Sequence, residues 1–481
     1  FENMKRSILL FALLAISLVH AQDYHPPVDI PMQLSGTFAE LRGTHFHAGI
    51  DIRTQGKQGV PLRSVADGYV SRIKIQQGGY GKALYINHPN GVTSVYAHLQ
   101  RYSPDIIPHV RKKQYSRKSY TIEFYPDPDQ MPIKKGAFIG FSGNTGSSFG
   151  PHLHFELRTS ANQIPFNPLL ANDNIADTRK PIIVQLIGYP IDGVINKSEE
   201  QIQLAIIQKN DNVYVTDTIK AIGTIGFGVE HFDRQNESFF KNGAFKIDAT
   251  INSTPRFEIQ FDTLSFDDTS EMHKLIDYPL YIDTKKKVMQ LFNSHEAPVA
   301  FANYTNNGLV DVVAGAQLTY TIKLSDVSGN NVYLRVPIEG KSEEVWVTKK
   351  SPLPGKMIYP KRDYMFELQD FSIYINAKTF SQPTPLNIEM DGDTLNISND
   401  YAYFEKPYSL TLEKEKIPKG AYLALKRSKR WEFVVKKNHK GQFSAKLKGT
   451  GAITVLVDSI PPTIVDQKKI SDRWISLEKD I

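Results

Sequence analysis

Short runs of alternating apolar and polar residues, each closed by Gly, Pro, Asn or Asp, recur along most of the chain. This period of two constrains the fold more than any other feature, because it turns one face of an extended segment to a core and the other to water. "ADGYVSRIKI", "KALYINHPNGVTSVYAHL", "GAFIGFSGN" and "GPHLHFELR" are the clearest cases between 31 and 172. Asn90-Gly91 reads as a hairpin turn, and Asp67-Gly68 as a second one. No amphipathic helix stands out, so the pattern predicts a compact antiparallel β-domain over 31–172. Residues from about 100 to 132 interrupt the alternation with a basic cluster, Arg111, Lys112, Lys113, Arg117 and Lys118, between prolines, and read as a long surface insertion.

Beyond that domain the alternation continues with few histidines, in "QIQLAII", "AFKIDATI" and "AQLTYTIKLSDVSGNNVYLRVPI". A chain of 481 residues exceeds one ordinary core. The expected layout is a β-sandwich over 178–342, a Pro- and Lys-rich linker over 343–362, a second sandwich over 363–458 and the opening of a further, incomplete domain over 459–481. The fold class is mostly β, with Ig-like sandwiches following the first domain.

The start of the chain carries Lys5 and Arg6, an apolar run from Ile8 to Val19, and Val19 and Ala21 at cleavage-site positions. It reads as a signal peptide over 4–21, and predicts an exported protein of the periplasm, cell envelope or medium. No later segment is apolar enough to span a membrane, so no span is expected in the mature chain. With no cysteine, disulfides, thiolate metal sites and a cysteine nucleophile are excluded. A net charge of +6 without a long basic block argues against nucleic acid and suits an anionic wall.

His152 and His154 sit two apart in a strand and so share one face. Alone, such a pair is more often two satisfied histidines than a site. It has company in "THFHAGIDI", where His47 and Asp51 are four apart, again with even parity, and Gly49 between them lets another backbone come close. Two imidazoles and a carboxylate are ligands that zinc accepts, and three protein ligands leave a fourth position for water. The helical H-E-x-x-H arrangement is absent. His98, in "VYAHL", and the spare member of the His152/His154 pair are candidates for moving a proton and holding an oxyanion. "GGYGK" lacks the spacing and context of a phosphate loop.

In their order and spacing, "HFHAGIDI", "VPLRSVADGYVSRI", "GYGKALYINHPNGVTSVYAHL" and "IKKGAFIGFSGNTGSSFGPHLHFELR" resemble the M23 peptidases, the lysostaphin-like or LytM-type zinc endopeptidases of bacterial cell walls. The resemblance covers about Leu34 to Leu170. It implies one zinc ion held by His47, Asp51 and His154, with His98 and His152 as the catalytic pair. It implies peptidoglycan peptides as substrate, with the bond cut left open. His45 does not match the ligand spacing and takes a supporting role, while His88 and His109 read as surface residues. Arg42 resembles an arginine of Gram-negative relatives, and reads equally as a substrate contact or an ordinary surface salt bridge.

The alternative reading is a catalytically silent LytM-type domain that binds peptidoglycan or activates another hydrolase. Silent relatives usually lose ligands, and here all five positions are filled. The sandwiches are candidates for contact with other envelope proteins. Tripeptides at Asp217, Asp262, Asp393 and Asp458 resemble the O-glycosylation pattern of Bacteroidetes envelope proteins, but read as plain strand ends.

Overall fold

The structure is a computed structural model that describes residues 24–460, apart from 43–44, 172–174, 176, 237, 342–347, 352–353, 400, 415 and 428. The signal peptide read over 4–21 and the further domain read over 459–481 therefore lie outside the described residues, except for 459–460. The chain is mostly β and divides into two compact units, up to Pro352 and from Leu353 onward.

The first domain of the first unit is built on one large antiparallel sheet. Its strands are β1 (Leu34–Gly36), β4 (Ile50–Arg53), β6 (Gly68–Ile75), β7 (Lys82–Asn87), β8 (Val92–Ala97), β10 (Ile122–Phe124) and β13 (His152–Thr159), in the order β1-β4-β13-β8-β7-β6-β10. β11 (Pro132–Ile133) also pairs with β6, and a small sheet of β5 (Pro61–Arg63), β12 (Phe138–Phe141) and β9 (Arg101–Tyr102) accompanies the large one. Leu34, Ile50, Ile52, Leu84, Ile86, Tyr96 and Leu153 lie in the shared core, which also takes in Tyr24 and Val28, ahead of the expected start at 31.

"HPNG" joins β7 and β8 with Gly91 at φ 79°, as the hairpin reading expects. Asp67-Gly68 is not a hairpin turn. β5, which precedes it, pairs with β12, while β6, which it opens, pairs with β7, so the chain changes sheets there. The insertion is not structureless either: Ile107–Arg117 is an α-helix with Pro108 in its first turn and Lys118 closing it at φ 47°. Its inward stripe is only Val110 and Gln114, four apart, and the remaining positions are largely charged or polar. That explains why no apolar period of 3.6 is visible in the sequence.

From Ile182 to Gly340, strands including the 14-residue Ile182–Ile195 and Ile219–Phe232 form a second sheet system around its own core. That core also takes in Phe38, Ala39, Leu41 and Phe46 of the first domain. They belong to or flank a hairpin of β2 (Leu41–Arg42) and β3 (His45–Phe46). Phe46, 1% exposed, packs edge-on against Phe301 at 5.4 Å and tilted against Phe261 at 5.9 Å. Burying a side chain of this size contributes about 1.5–3 kcal/mol, so the hairpin locks the two domains together. Asn167 reinforces the junction, its backbone N–H donating to the Asp262 carbonyl at 2.8 Å.

The second unit has two sheets, of six and four strands, around a core that includes Phe371, Ile373, Leu395, Leu410, Leu423 and Phe443. Exposure alternates along Phe371–Ile375 and Tyr408–Leu412, as expected of sandwich strands. Strand Lys356–Ile358, which pairs with Thr384–Leu386, falls inside the stretch read as linker.

Candidate metal centre and its cleft

Cross-strand register assembles the centre. β13 runs between β4 and β8, with His154 opposite Asp51 on one side and Ala97 on the other. Directly opposed residues share a face, and His152 joins them by parity. A Cβ on Gly49 would lie 2.4 Å from the Phe155 carbonyl oxygen, so only glycine lets β13 pass this close.

His47 comes from a different direction. It follows Phe46, whose burial in the second domain's core fixes the approach, and its backbone N–H donates to the Glu40 carbonyl at 2.9 Å.

The three side chains meet in a buried cluster, each 3–4% exposed. His47 Nε2 is 3.0 Å from His154 Nδ1 and 3.1 Å from Asp51 Oδ1, and His154 Nδ1 is 3.0 Å from the same oxygen. A tetrahedral centre with bonds of about 2.0–2.1 Å has edges of about 3.3 Å, close to these separations. The protons support the same assignment. His47 Nδ1 donates to the Thr37 carbonyl at 2.8 Å, and His154 Nε2 to Glu156 Oε1 at 2.8 Å. Both rings therefore turn lone pairs toward the Asp51 carboxylate. Three lone pairs at such distances repel one another, and a cation among them removes the conflict. Two nitrogens and a carboxylate oxygen fit zinc. The same arrangement of acceptors favours positive charge at its centre. Burial opposes charge on His154, but hydrogen bonds to Asp51 and Glu156 push it up to about 9. Burial likewise opposes charge on Asp51, yet the imidazoles of His47, His152 and His154 gathered around it hold it well below the usual carboxylate range.

Behind His154 stands a network that the sequence pattern alone does not single out. Glu156 is fully buried; Arg158 Nε donates to its Oε2 at 2.6 Å, and the Tyr80 hydroxyl donates to its Oε1. Burial raises the Glu156 pKa, but Arg158 and His154 outweigh it and hold it at about 2. The signal was present, since 152, 154, 156 and 158 continue one parity along β13. Replacing Glu156 with glutamine removes the anion that orients His154. Zinc affinity, measured by competition with a chromogenic chelator, is expected to fall about 10–100-fold.

Arg42 forms an ion pair with Asp51 Oδ2 at 2.5 Å, so it braces a cluster member rather than making an ordinary surface salt bridge. His45 is exposed at the mouth of the cleft. His109 lies exposed on the inserted helix, as expected. His88 departs from its surface reading. It is buried, with Nδ1 bonded to the Asp67 carbonyl and Nε2 to Ser94 Oγ, both at 2.8 Å, and it ties the β7–β8 turn to the sheet.

His98 directly follows β8 at φ 60°, a left-handed conformation unusual for a side-chain-bearing residue. Regular alternation would turn it away from the face of Ala97 and His154; the break brings its ring 4.8 Å from His152 and 5.8 Å from His154. All five residues border a cleft of about 920 Å³. The cleft's apolar rim includes Phe149 of the first domain and Phe240 and Phe266 of the second. The second domain thus forms part of the wall, which its sequence did not reveal.

Among the described residues, no helix is long and apolar enough to cross a membrane. The family model described as Peptidase family M23 matches residues 45–118, ending at the inserted helix and before His152 and His154. A DD-carboxypeptidase/endopeptidase, Mpg, of Neisseria meningitidis is 37% identical over 129 residues, 27% of this chain and 23% of the relative. Peptidoglycan DD-endopeptidase ShyC of Vibrio cholerae is 30% identical over 123 residues, 26% of this chain and 21% of the relative. The match thus spans less than a quarter of either relative. Among solved structures, the catalytic domain of lysostaphin from Staphylococcus simulans aligns over 29% of this chain and 93% of its own length, at 19% identity and a TM-score of 0.22.

Proposed function

We propose, from the premise that this chain carries a peptidase family M23 metallopeptidase domain, that it is a zinc-dependent endopeptidase cutting peptide bonds of peptidoglycan stems or cross-bridges. The observation that carries this reading is the convergence of His47, Asp51 and His154 on one point, with His98 and His152 beside them in an open cleft. Zinc held by the three ligands would supply Lewis acidity and lower the pKa of a bound water.

The chain's own residues supply the proton handling. His98 Nδ1 donates to the Thr145 carbonyl at 2.7 Å, which leaves Nε2 as the acceptor. Burial, then His154 and His152, lower its pKa to about 4, so it enters the reaction neutral. His152 Nδ1 is held by the Gly150 carbonyl at 2.8 Å, and its Nε2 lies 3.4 Å from Asp51 Oδ1. An imidazole that takes a proton from the attacking water becomes a donor. The pair is then placed to hydrogen-bond the oxyanion of the cleaved carbonyl and to pass the proton to the leaving amine. The reading of 4–21 as a leader fits work outside the cytoplasm, where peptidoglycan lies.

The test is muropeptide release from purified sacculi, read by mass spectrometry. Zinc-dependent products that vanish with chelator and return with zinc are expected. Intact sacculi with zinc bound would overturn the reading. In the same assay, Phe149→Ala and Phe240→Ala are expected to raise KM about 3–10-fold while kcat stays within about 2-fold, since the rim contacts substrate away from the reacting atoms.

A further inference from the structure

A second cluster of oxygen ligands lies away from the cleft. Asp177 of the segment joining the two domains, Asp233 at the end of strand Ile219–Phe232 and Asp326 in the turn after strand Gln317–Ser325 each offer a carboxylate oxygen within 4.8 Å of the others. None of the three makes an ion pair among the described residues. Burial, then Asp326 and Asp177, push Asp233 up to about 7; the Arg234 backbone N–H and, less, the nearby cation Arg179 only partly offset this, and Arg179 donates Nη1 to the Ser238 carbonyl. Three carboxylates this close do not all ionise in a buried pocket without a countercharge.

An independent observation points to what fills the gap. Gln235 lines the same cavity, of about 260 Å³, is 6% exposed, and its Oε1 has no hydrogen-bond partner among the described residues. Asp233 Oδ1, in a residue 5% exposed, is likewise unpartnered. Buried acceptors are rarely left unmet, and a cavity on which three carboxylates and the Gln235 oxygen converge has a donor or a cation as its natural occupant. Asp326 is already oriented: the Asn330 backbone N–H donates to its Oδ1 at 2.8 Å and the Asn330 side-chain amide to its Oδ2 at 2.7 Å. That same amide also donates to the Asp177 carbonyl at 3.1 Å, tying the joining segment to the turn.

We propose that Asp177, Asp233, Asp326 and Gln235 form a calcium-type cation site that pins the first domain to the second. All-oxygen donors favour a hard cation over zinc, and Ca²⁺ tolerates the irregular, partly hydrated arrangement that a cavity of this size provides. The site also reaches the metal centre. Thr37 lines the cavity, its hydroxyl accepts from the Gly243 backbone N–H at 3.3 Å, and its carbonyl is the acceptor that orients His47.

The experiment is calorimetric and thermal titration of the full chain, stripped of metal and reloaded with one equivalent of zinc, using Ca²⁺ with Mg²⁺ in parallel. One further equivalent of Ca²⁺ and a saturable rise in Tm are expected. Asp233→Asn and Asp326→Asn should lose both while keeping their zinc. Absence of Ca²⁺ binding by the wild-type chain would overturn the proposal, whether or not the variants fold. A response to Mg²⁺ alone would overturn the calcium assignment. A wild-type chain indifferent to Ca²⁺, with Asp233→Asn raising Tm by itself, would identify a proton-sharing carboxyl cluster instead.

Discussion

His154→Ala is expected to leave the chain without zinc and without measurable release of muropeptides from sacculi, a loss of at least about 10³-fold, equivalent to about 4 kcal/mol of transition-state stabilisation. The size of the effect follows from the position of His154. Its Nδ1 lies 3.0 Å from both His47 Nε2 and Asp51 Oδ1. Its Nε2 carries the bond to Glu156, so removing the ring breaks the cluster and takes a hydrogen bond from a buried carboxylate that keeps only Arg158 and Tyr80. Losing that bond and leaving a cavity in its place is costly, and a lower Tm is expected alongside the loss of metal. Zinc content by mass spectrometry, far-UV circular dichroism and the sacculus assay separate loss of metal from loss of fold. A folded His154→Ala chain that keeps one tight equivalent of zinc would remove His154 from the ligand set.

The even spacings of His47 to Asp51 and of His152 to His154 were legible because strand parity is local and survives without knowledge of what pairs with what. Register is not local. Nothing between Ile50 and Glu156 announces that His154 faces Asp51 across β4 and β13, or that the left-handed turn at His98 swings its ring over the pair. Glu156 and Arg158 were one parity step further on, yet charged residues in a strand ordinarily mean a solvated face, and burial is what changes their meaning. Phe46 was equally opaque. An apolar residue looks the same in its own domain's core as in its neighbour's, and only the tertiary structure shows that it plugs into the second domain and thereby aims His47. The inserted helix is not legible in the sequence because a helix with so narrow an apolar stripe carries too little periodic signal. The three aspartates of the second cluster lie far apart in sequence, and no spacing rule joins 177, 233 and 326.

His98→Ala separates an active peptidase from a silent wall-binding domain. His98 is not among the three clustered ligands, and its contacts are the Thr145 carbonyl and the rings of Tyr80, His152 and His154. Its removal is expected to leave one equivalent of zinc in place and binding to sacculi intact, while kcat falls about 10²–10⁴-fold, the range that a positioned general base contributes. The pH profile carries the same information. Because burial and the neighbouring histidines hold His98 neutral down to about pH 4, its proton-accepting form is already complete at neutral pH. The acid limb of kcat/KM in the wild-type chain therefore should not report a histidine of ordinary pKa at this position. A variant with unchanged zinc, unchanged binding and unchanged turnover would mean that His98 takes no part in the chemistry. Equal inactivity of variant and wild type, both binding sacculi, would assign the domain to recognition rather than cleavage.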